Sequence, residues 1–226
     1  MRVARKTRSA SGEDSSALAL IPPRPSLADL QEKAAGCRAC DLWKSGTQTV
    51  FGEGPAPATI MFVGEQPGDR EDVEGHPFVG PAGRILDEGM VEAGIDRSRA
   101  YVTNVVKHFR WEQAQRSKRR IHKKPRASQI EACRPWLEAE LQVVKPQILV
   151  CLGATAAQAL LGKNFSVLRE RGKLKRSNLA PFVLATVHPS SILRSPDPVA
   201  RKDAMQKFVK DLKQAARGLR NLRTAA

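Results

Sequence analysis

Several short segments of this 226-residue sequence carry side chains suited to polar recognition and to acid–base or nucleophilic chemistry. Glu65, Gln66 and Asp69 place two carboxylates and an amide in the turn GEQPGD. Asn104 offers one acceptor and two donors, which suit the polar edge of a nucleic-acid base. Phe78, in the loop GHPFVGPAG, could stack on such a base. G-x-G-x-x-G and Walker spacing are both absent from the GEQPGD turn, which excludes a nucleotide-phosphate loop there.

Two histidines stand in segments that favour different roles. His122 ends the sequence KRRIH, within a basic segment, residues 107–126, that has nine Lys or Arg residues and the single acid Glu112. Surrounding cations lower the proton affinity of an imidazole, and a neutral imidazole is a competent nucleophile. His188, in VHPSS, could donate to an anionic leaving group. Taken singly, each of these segments is equally typical of a structural turn, a core residue or a solvated loop.

The sequence has four cysteines, of which Cys37 and Cys40 form a C-x-x-C pair, while Cys133 and Cys151 lie far downstream. In a reducing compartment, cysteines are metal ligands or core residues more often than disulfides. Ligand chemistry by itself allows either a zinc ion held by four thiolates or a [4Fe–4S] cluster.

The elements that must position these residues alternate between short apolar strands and helices. Strands are predicted at 59–63, 100–106, 147–152 and 182–187, and helices at 26–35, 81–93, 128–144, 154–161 and 199–216. Ser128 and Glu131 predict a capping box for the third of these helices. This alternation predicts an α/β fold with a parallel sheet covered on both faces. Ligands bind such sheets at the carboxyl ends of the strands, where the polar segments should form one cleft.

Composition limits the class of protein and its partners. The 38 Lys and Arg residues exceed the 23 Asp and Glu residues by 15, so we expect a polyanionic partner, with nucleic acid as the first candidate. A hydrophobic content of 41% excludes a wholly disordered chain. The absence of a signal peptide and of an apolar run of about 20 residues predicts a cytoplasmic protein. We expect a disordered basic tail at 1–25, one domain at 26–216 that includes the basic loop 107–126, and a C-terminal tail at 217–226.

Together these segments resemble the uracil-DNA glycosylase superfamily, and most of all its iron–sulfur branches, over roughly residues 27–208. The motif GEQPG with Gln66, and the inserted KRRIH, resemble the UdgX branch. The hydrolytic family 4 enzymes have a related first motif with Ala in place of Gln and lack the basic insert. The resemblance implies a three-layer α/β/α fold with a central four-stranded parallel sheet. It also implies a [4Fe–4S] cluster bound by Cys37, Cys40, Cys133 and Cys151.

The resemblance further assigns roles to the residues of the cleft. Phe78 should stack on a flipped uracil and Asn104 should read its polar edge, while His188 stabilises the departing uracil anion. His122 should attack the sugar, giving a covalent protein–DNA adduct in a single turnover. The remaining assignments are the pocket residues Glu65, Gln66 and Asp69, with Glu65 as the carboxylate near the sugar, and the DNA-binding residues Lys118, Arg119, Arg120 and Ser190.

The partner that follows from this interpretation is uracil-containing DNA, single-stranded or with a flipped base, bound by a monomer with no membrane partner. Two alternatives stay open at this point. One is an ordinary turnover uracil-DNA glycosylase, in which His122 only contacts phosphate. The other is a non-enzymatic nucleic-acid-binding protein, in which the strand-end segments are structural and the basic loop grips the DNA backbone.

Overall fold

The protein is described here by a computed structural model, which covers residues 16–115 and 117–224. Four strands form a parallel sheet in the order β2–β1–β5–β6. Their bounds are Ile60–Gly64 (β1), Ala100–Asn104 (β2), Ile148–Leu152 (β5) and Phe182–Thr186 (β6). A separate antiparallel hairpin joins Trp111–Gln113 (β3) to Arg120–His122 (β4).

Eight α-helices connect and cover these strands within the described residues. They are Leu27–Ala35 (α1), Asp69–Glu74 (α2), Pro81–Ala93 (α3), Ala127–Val144 (α4), Ala154–Leu161 (α5), Val167–Glu170 (α6), Pro189–Leu193 (α7) and Pro198–Thr224 (α8). Short 3₁₀ helices occupy Ala17–Leu20, Asp41–Lys44 and Arg97–Arg99. None of the described helices combines the length and apolarity that crossing a membrane requires.

The sheet forms the middle of three layers because alternate side chains of each strand enter different cores. Met61 and Val63 pack with residues of α1, α4 and α5, whereas Ile60 and Phe62 pack with residues of α3, α7 and α8. Burial on both faces explains why β1 is a continuous apolar run. The predicted α/β three-layer fold and its four parallel strands are therefore confirmed.

The strand order explains where a ligand site belongs. Chain connections leave β1 toward β2 on one side, and the next strand, β5, joins β1 on the other side. The order therefore reverses beside β1, and open α/β sheets bind ligands in the crevice at such a reversal, beyond the carboxyl ends of the strands. Glu65 and Gln66 follow β1 directly and lie at this point.

The structure differs from the sequence-based expectations at three places. The basic loop 107–126 contains the β3–β4 hairpin, and Lys107 is buried rather than solvated. Helix α8 runs to Thr224, so residues 217–224 are helical and the predicted C-terminal tail begins later. Of the predicted N-terminal tail, residues 1–15 lie outside the described residues, whereas Ala17–Leu20 form a 3₁₀ helix with Ala17 buried. That 26–216 is a unit able to fold without its flanking segments stays a prediction.

The cap of α4 also differs from the expectation. The helix begins at Ala127, one residue before the predicted cap Ser128, because the side chain of Gln129 accepts a hydrogen bond from the Arg126 backbone N–H at 2.8 Å. The Gln129 amide also donates to Asp41 at 2.8 Å, which ties the start of α4 to the segment that follows Cys40.

Candidate functional site

The carboxylate of Glu65 lies in the crevice between β1 and β5. Thr155, at the start of α5 just beyond β5, donates its hydroxyl proton to Oε2 of Glu65. The other oxygen, Oε1, lies 3.4 Å from Nε2 of His122. Glu65 is thus oriented from one side by a hydroxyl and faces an imidazole on the other, an arrangement that fits its predicted place beside the reacting sugar.

His122 reaches Glu65 because it is the last residue of β4, on the hairpin that crosses the crevice. Its register partner is Trp111, and its ring centroid lies 5.9 Å from that of Phe109. The side chain of His122 is half exposed, at 50%. It therefore stands between the carboxylate of the crevice and the surrounding solvent, where a bound DNA strand could reach it.

The side chain of Gln66 holds the base of this hairpin. Its amide nitrogen donates to the main-chain oxygens of Arg110 and Lys123, both at 3.1 Å, and its oxygen accepts from the Arg110 N–H at 3.1 Å. Lys123 and Arg110 also pair directly through their backbones at 2.9 Å. Gln66 thus closes the open end of the β3–β4 ladder, and its contact with the base stays a prediction.

Arg120 anchors the opposite side of the hairpin to helix α2. Its guanidinium lies 2.5 Å from the carboxylates of both Asp69 and Asp72, and it donates to Thr47 at 3.3 Å. Burial lowers the pKa of Arg120, but the hydrogen bonds and charges of these carboxylates outweigh it and raise that pKa. Asp69 thus binds the hairpin, and the guanidinium of Arg120 is engaged in internal ion pairs. The contacts of Asp69 with the base and of Arg120 with DNA stay predictions.

Asn104 and Phe78 meet above Gly64, at the end of β1. A Cβ atom placed on Gly64 would lie 2.3 Å from Oδ1 of Asn104 and 2.8 Å from Cζ of Phe78, so only glycine allows both side chains to approach the strand end this closely. Asn104 is 3% exposed, and no hydrogen bond from another described residue engages its side-chain amide. An unengaged amide beside an aromatic ring is suited to hold one flat polar ring.

Phe78 is held in an uncommon backbone conformation. Its φ angle is +59°, in the left-handed region that bulky residues rarely occupy. The carboxylate of Glu71, 8% exposed, accepts from the Gly80 N–H at 2.8 Å and braces the loop. A Cβ on Gly83 would lie 1.6 Å from the carbonyl oxygen of Phe78, so the close approach of α3 to this loop requires glycine. Such local strain is typical of loops that must aim one side chain.

His188 enters the same space from the end of β6. Its ring centroid lies 6.3 Å from that of Phe78, and the two planes differ by 28°. The Ser190 backbone N–H donates to Nδ1 at 3.2 Å, and the Ser190 hydroxyl lies 2.8 Å from the same nitrogen. Because Nδ1 accepts, the neutral ring carries its proton on Nε2 and can donate it into the cleft. Ser190 therefore sets the tautomer of His188.

Both histidines of the cleft are neutral near pH 7. Burial, with smaller contributions from His122 and Arg194, lowers the pKa of His188 to about 4. Burial and Arg194 also lower the pKa of His122, although Glu65 opposes the shift. His122 therefore keeps a lone pair for attack, and His188 keeps a neutral N–H donor, at the same pH.

The four cysteines all belong to one core of the protein. Cys37, Cys133 and Cys151 are buried members of it, and Cys40 packs against it. Burial raises the pKa of Cys133 to about 12, and the thiols of Cys40 and Cys37 add to that rise. The pKa of Cys40 is likewise raised by burial and by Cys37. For Cys151, inside β5, burial alone raises the pKa to about 12.

Two N–H groups point at sulfur atoms of this region. The backbone N–H of Lys107 donates to Sγ of Cys133, and the indole of Trp136 donates to Sγ of Cys37, each at 3.3 Å. Across residues 16–115 and 117–224, no three His, Cys, Asp or Glu side chains are gathered as a formed metal site. The chemistry of the four thiols and of the N–H···S contacts therefore fits a thiolate-bound cluster, although the thiols are not gathered around one point.

His108 reaches the same region through Thr49. The Nε2 atom of this buried histidine lies 3.1 Å from the Thr49 hydroxyl, which donates to the main-chain oxygen of Ala34 at 2.9 Å. That oxygen also accepts from the backbone N–H of Cys37 at 3.0 Å. The imidazole of His108 is thus linked to the backbone of Cys37 by three successive hydrogen bonds, through Thr49 and Ala34.

The two residues predicted to contact DNA at the hairpin tip, Lys118 and Arg119, are exposed. Sequence reasoning missed Thr155 and Arg194. Thr155 follows the strand-end glycine in CLGAT, and its position after a buried strand could have marked it. Arg194 donates to the Ser190 hydroxyl at 3.1 Å, and nothing in the local sequence distinguishes it from the other surface arginines.

Comparison with known proteins agrees with this geometry. A family model described as the uracil DNA glycosylase superfamily matches residues 51–213. The chain is 36% identical to the type-4 uracil-DNA glycosylase of Sulfurisphaera tokodaii over 180 residues, 76% of this chain and 78% of the relative. It is 35% identical to that of Archaeoglobus fulgidus, over 76% of this chain and 85% of the relative. It is 36% identical to the type-4 uracil-DNA glycosylase of Thermotoga maritima, over 74% of this chain and 82% of the relative.

Proposed function

The chain belongs to the uracil-DNA glycosylase superfamily, and from that premise we propose that it cleaves the N-glycosidic bond between uracil and deoxyribose in DNA. The observation that carries this proposal is the convergence of Asn104, Phe78 and His188 on the space above Gly64, beside the carboxylate of Glu65. The glycosidic bond of a stacked base is out of reach, so the substrate is a single strand or a duplex with the uracil flipped out.

The roles of the residues in bond cleavage follow from the charges that develop on the uracil and on the sugar. As the C1′–N1 bond breaks, its electron pair stays with the uracil and positive charge remains at C1′. The Nε2–H of His188 donates to the uracil anion, and the carboxylate of Glu65 stabilises the sugar cation. Phe78 stacks on the base, and the Asn104 amide pairs with its polar edge. Thr155 holds Glu65 in place through the hydroxyl donated to Oε2.

We further propose that the cation is captured by His122, as in the UdgX branch. The Nε2 lone pair of His122 forms a bond to C1′, which gives an N-glycosyl imidazolium, and the Nδ1 proton is then lost to water. The proposal is supported by the lowered pKa of His122, by the 3.4 Å between Nε2 and Glu65, and by the hairpin contacts that hold this imidazole at the crevice. A tethered nucleophile has a large effective concentration and outcompetes water.

A second function, turnover hydrolysis of the type-4 kind, is favoured by one observation. The relatives at 36% and 35% identity are named type-4 uracil-DNA glycosylases. In that case water captures C1′, and the protein is released to act again. The two functions share the base pocket and differ only in the fate of the sugar, so the product distinguishes them.

The cofactor belongs to the same proposal. We propose a [4Fe–4S] cluster with the thiolates of Cys37, Cys40, Cys133 and Cys151 as ligands; such a cluster would tie the C-x-x-C segment to α4 and β5 and take no part in the glycosidic chemistry. The proposal is supported by the burial of Cys37, Cys133 and Cys151 in one core, with Cys40 packed against it.

The experiment that tests the function uses a single-stranded oligonucleotide with one uracil and a second with thymine at the same position. We expect the protein to release free uracil from the first and nothing from the second. Equal binding to both strands without release would support the non-enzymatic alternative and contradict the proposal. We further propose that the protein acts as a monomer in the cytoplasm, and that Lys118 and Arg119 contact the phosphates of the strand.

A further inference from the structure

A fully buried ion pair lies between β2 and α4, on the side of Asn104 away from the base pocket. The side chains of Lys107 and Glu140 are 1% and 0% exposed, and Nζ lies 2.5 Å from Oε2. Nζ also donates to the Thr103 hydroxyl at 2.6 Å and to the main-chain oxygen of Asn104 at 2.8 Å. An ammonium has three protons, so each proton of Lys107 has one acceptor.

The carboxylate of Glu140 is satisfied in the same way. Its Oε1 accepts from the Tyr101 hydroxyl at 2.9 Å and from the Thr103 hydroxyl at 2.8 Å, while Oε2 faces Lys107. Burial and the charge of Glu140 raise the pKa of Tyr101, so its hydroxyl remains a donor. The network therefore joins α4 to the last residues of β2 without leaving a polar atom of the pair unmatched.

The contact to Asn104 has a specific consequence because β2 is an edge strand. An edge strand has one neighbouring strand in its sheet, and on its open side β2 pairs, among the described residues, with Glu53 at Val102 only. The Asn104 carbonyl finds its partner in a charged group instead, through a hydrogen bond stronger than one between neutral groups. The following amides are fixed as well, since Val105 and Val106 donate to the main-chain oxygens of Gly64 and Glu65.

Stability alone does not explain such a pair. Desolvation of two buried charges consumes most of their attraction, and apolar residues of similar volume often serve stability equally well. An ion pair does differ from apolar packing in one respect: it fixes hydrogen-bond direction. Here the direction that it fixes is that of the Asn104 peptide, and the same residue presents the amide that reads the base.

We propose that Lys107 and Glu140 are positioning residues that hold Asn104 in the orientation needed to read uracil. The inference rests on the proposed function and deepens it, because it assigns the precision of base reading to a pair that touches neither base nor sugar. It also accounts for the burial of the Lys107 ammonium, although the sequence places this cation at the start of the basic loop.

The test is a double-mutant cycle on the full-length protein. The Lys107→Met/Glu140→Gln variant removes both charges together, so that neither is left buried without a partner. The rate of uracil release from the single-stranded oligonucleotide is measured in single turnover, in the parent background and in Asn104→Ala. We expect about a 10- to 100-fold loss in the parent background, the scale of a misplaced binding group. In the Asn104→Ala background we expect less than about a 3-fold further loss, because positioning an absent amide has no effect.

Tyr101→Phe is the matched control within the network. It removes one hydrogen bond to Glu140 and leaves the contact of Lys107 with Asn104, so it should lower the melting temperature and leave the rate within about 2-fold. If the charge-free double variant does not fold, Thr103→Val enters the same cycle. It removes the hydroxyl between ammonium and carboxylate, and its smaller loss should also vanish in Asn104→Ala.

Equal fold losses in both backgrounds would overturn the positioning role, because a purely structural pair would act independently of Asn104. An Asn104→Ala protein as fast as the parent would overturn it too. A parent protein that releases no uracil would overturn the proposed function, and the inference with it. The first two outcomes leave the glycosylase assignment intact, so the two failures are distinguishable.

Discussion

At the residue scale, the chemistry depends on two imidazoles that stay neutral for the same reason. Burial and the cation of Arg194 lower the pKa of both His188 and His122, although the side chain of His122 is half exposed and Glu65 opposes its shift. They nevertheless present opposite functions. Ser190 occupies Nδ1 of His188 and leaves a donor facing the cleft, whereas His122 offers a lone pair beside Glu65. A difference in hydrogen bonding, more than in pKa, separates the donor from the nucleophile.

The pKa of His188 predicts how stability depends on pH. Unfolded histidine has a pKa near 6.5, while that of folded His188 is about 4, so the unfolded state binds more protons between these values. The stabilisation is complete above pH 6.5 and is lost as the pH falls toward 4. We expect the free energy of unfolding of the parent, measured with urea, to lose about 2 kcal/mol to this group by pH 5.

His188→Asn should flatten that pH dependence by the same amount. His76→Gln is the control, because the pKa of this exposed histidine is raised by Glu53 rather than lowered, so its loss should not flatten the curve. Identical slopes for the parent and His188→Asn would mean that His188 is protonated as readily in the folded state as in the unfolded chain.

At the element scale, the β3–β4 hairpin places His122, the proposed nucleophile, at the crevice. Its strands are three residues long and mostly exposed, so its shape depends on contacts with the rest of the protein. Gln66 closes its base, and Arg120 binds Asp69 and Asp72 of α2. The GEQPGD turn thus supplies Glu65, the carboxylate that we propose beside the sugar. It also supplies Gln66 and Asp69, which hold the hairpin that carries His122.

Removing the Gln66 side chain should separate the two halves of the reaction. In Gln66→Ala the hairpin loses three hydrogen bonds and His122 is less well placed, while Asn104, Phe78 and His188 are untouched. We expect adduct formation to fall at least about 10-fold relative to uracil release, so that more of the product is an abasic site. Gln113→Ala, which removes an exposed amide of the same hairpin, should leave this ratio unchanged. An unchanged ratio of adduct to released uracil in Gln66→Ala would contradict the role of Gln66 in holding the hairpin.

The same elements show what sequence could and could not predict. The strands of the sheet were predictable because burial on both faces makes β1, β5 and β6 nearly continuous apolar runs, and because β2 is rich in residues that favour strands. The hairpin was not, because Gln66 and Arg120 act across 44 to 57 and 48 to 51 residues of sequence. From sequence alone, Lys107 was grouped with the cations of the basic loop, because Glu140, its ion-pair partner, lies 33 residues away in the sequence.

At the scale of the whole molecule, the region of Cys37, Cys40 and Cys133 joins the segment after α1 to helix α4. A cluster there would link parts of the chain about 100 residues apart, so its loss should loosen the N-terminal part of the fold. We expect purified protein to be brown, with about four irons per chain. Cys133→Ala and Cys151→Ala should both lose iron, whereas His108→Ala should keep it.

Iron content and visible absorbance measure this directly. Cys133→Ala and Cys151→Ala each remove one buried thiol of the same core, and His108→Ala, which removes a buried side chain that is not a proposed ligand, is the control. A Cys151→Ala protein that keeps its iron would contradict the four-cysteine assignment. A parent protein with one zinc and no iron would overturn the cluster itself.

The central claim is that bond cleavage and sugar capture belong to different residues of one cleft. It is tested most directly with His122→Ser on a uracil-containing oligonucleotide, followed on a denaturing gel with and without alkali. The parent should give a heat-stable adduct that migrates more slowly than the free strand. His122→Ser should give no adduct yet still release uracil, since the smaller side chain admits water to C1′, and its product should break in alkali. An adduct that persists in His122→Ser, or a variant that neither crosslinks nor releases uracil, would contradict the account.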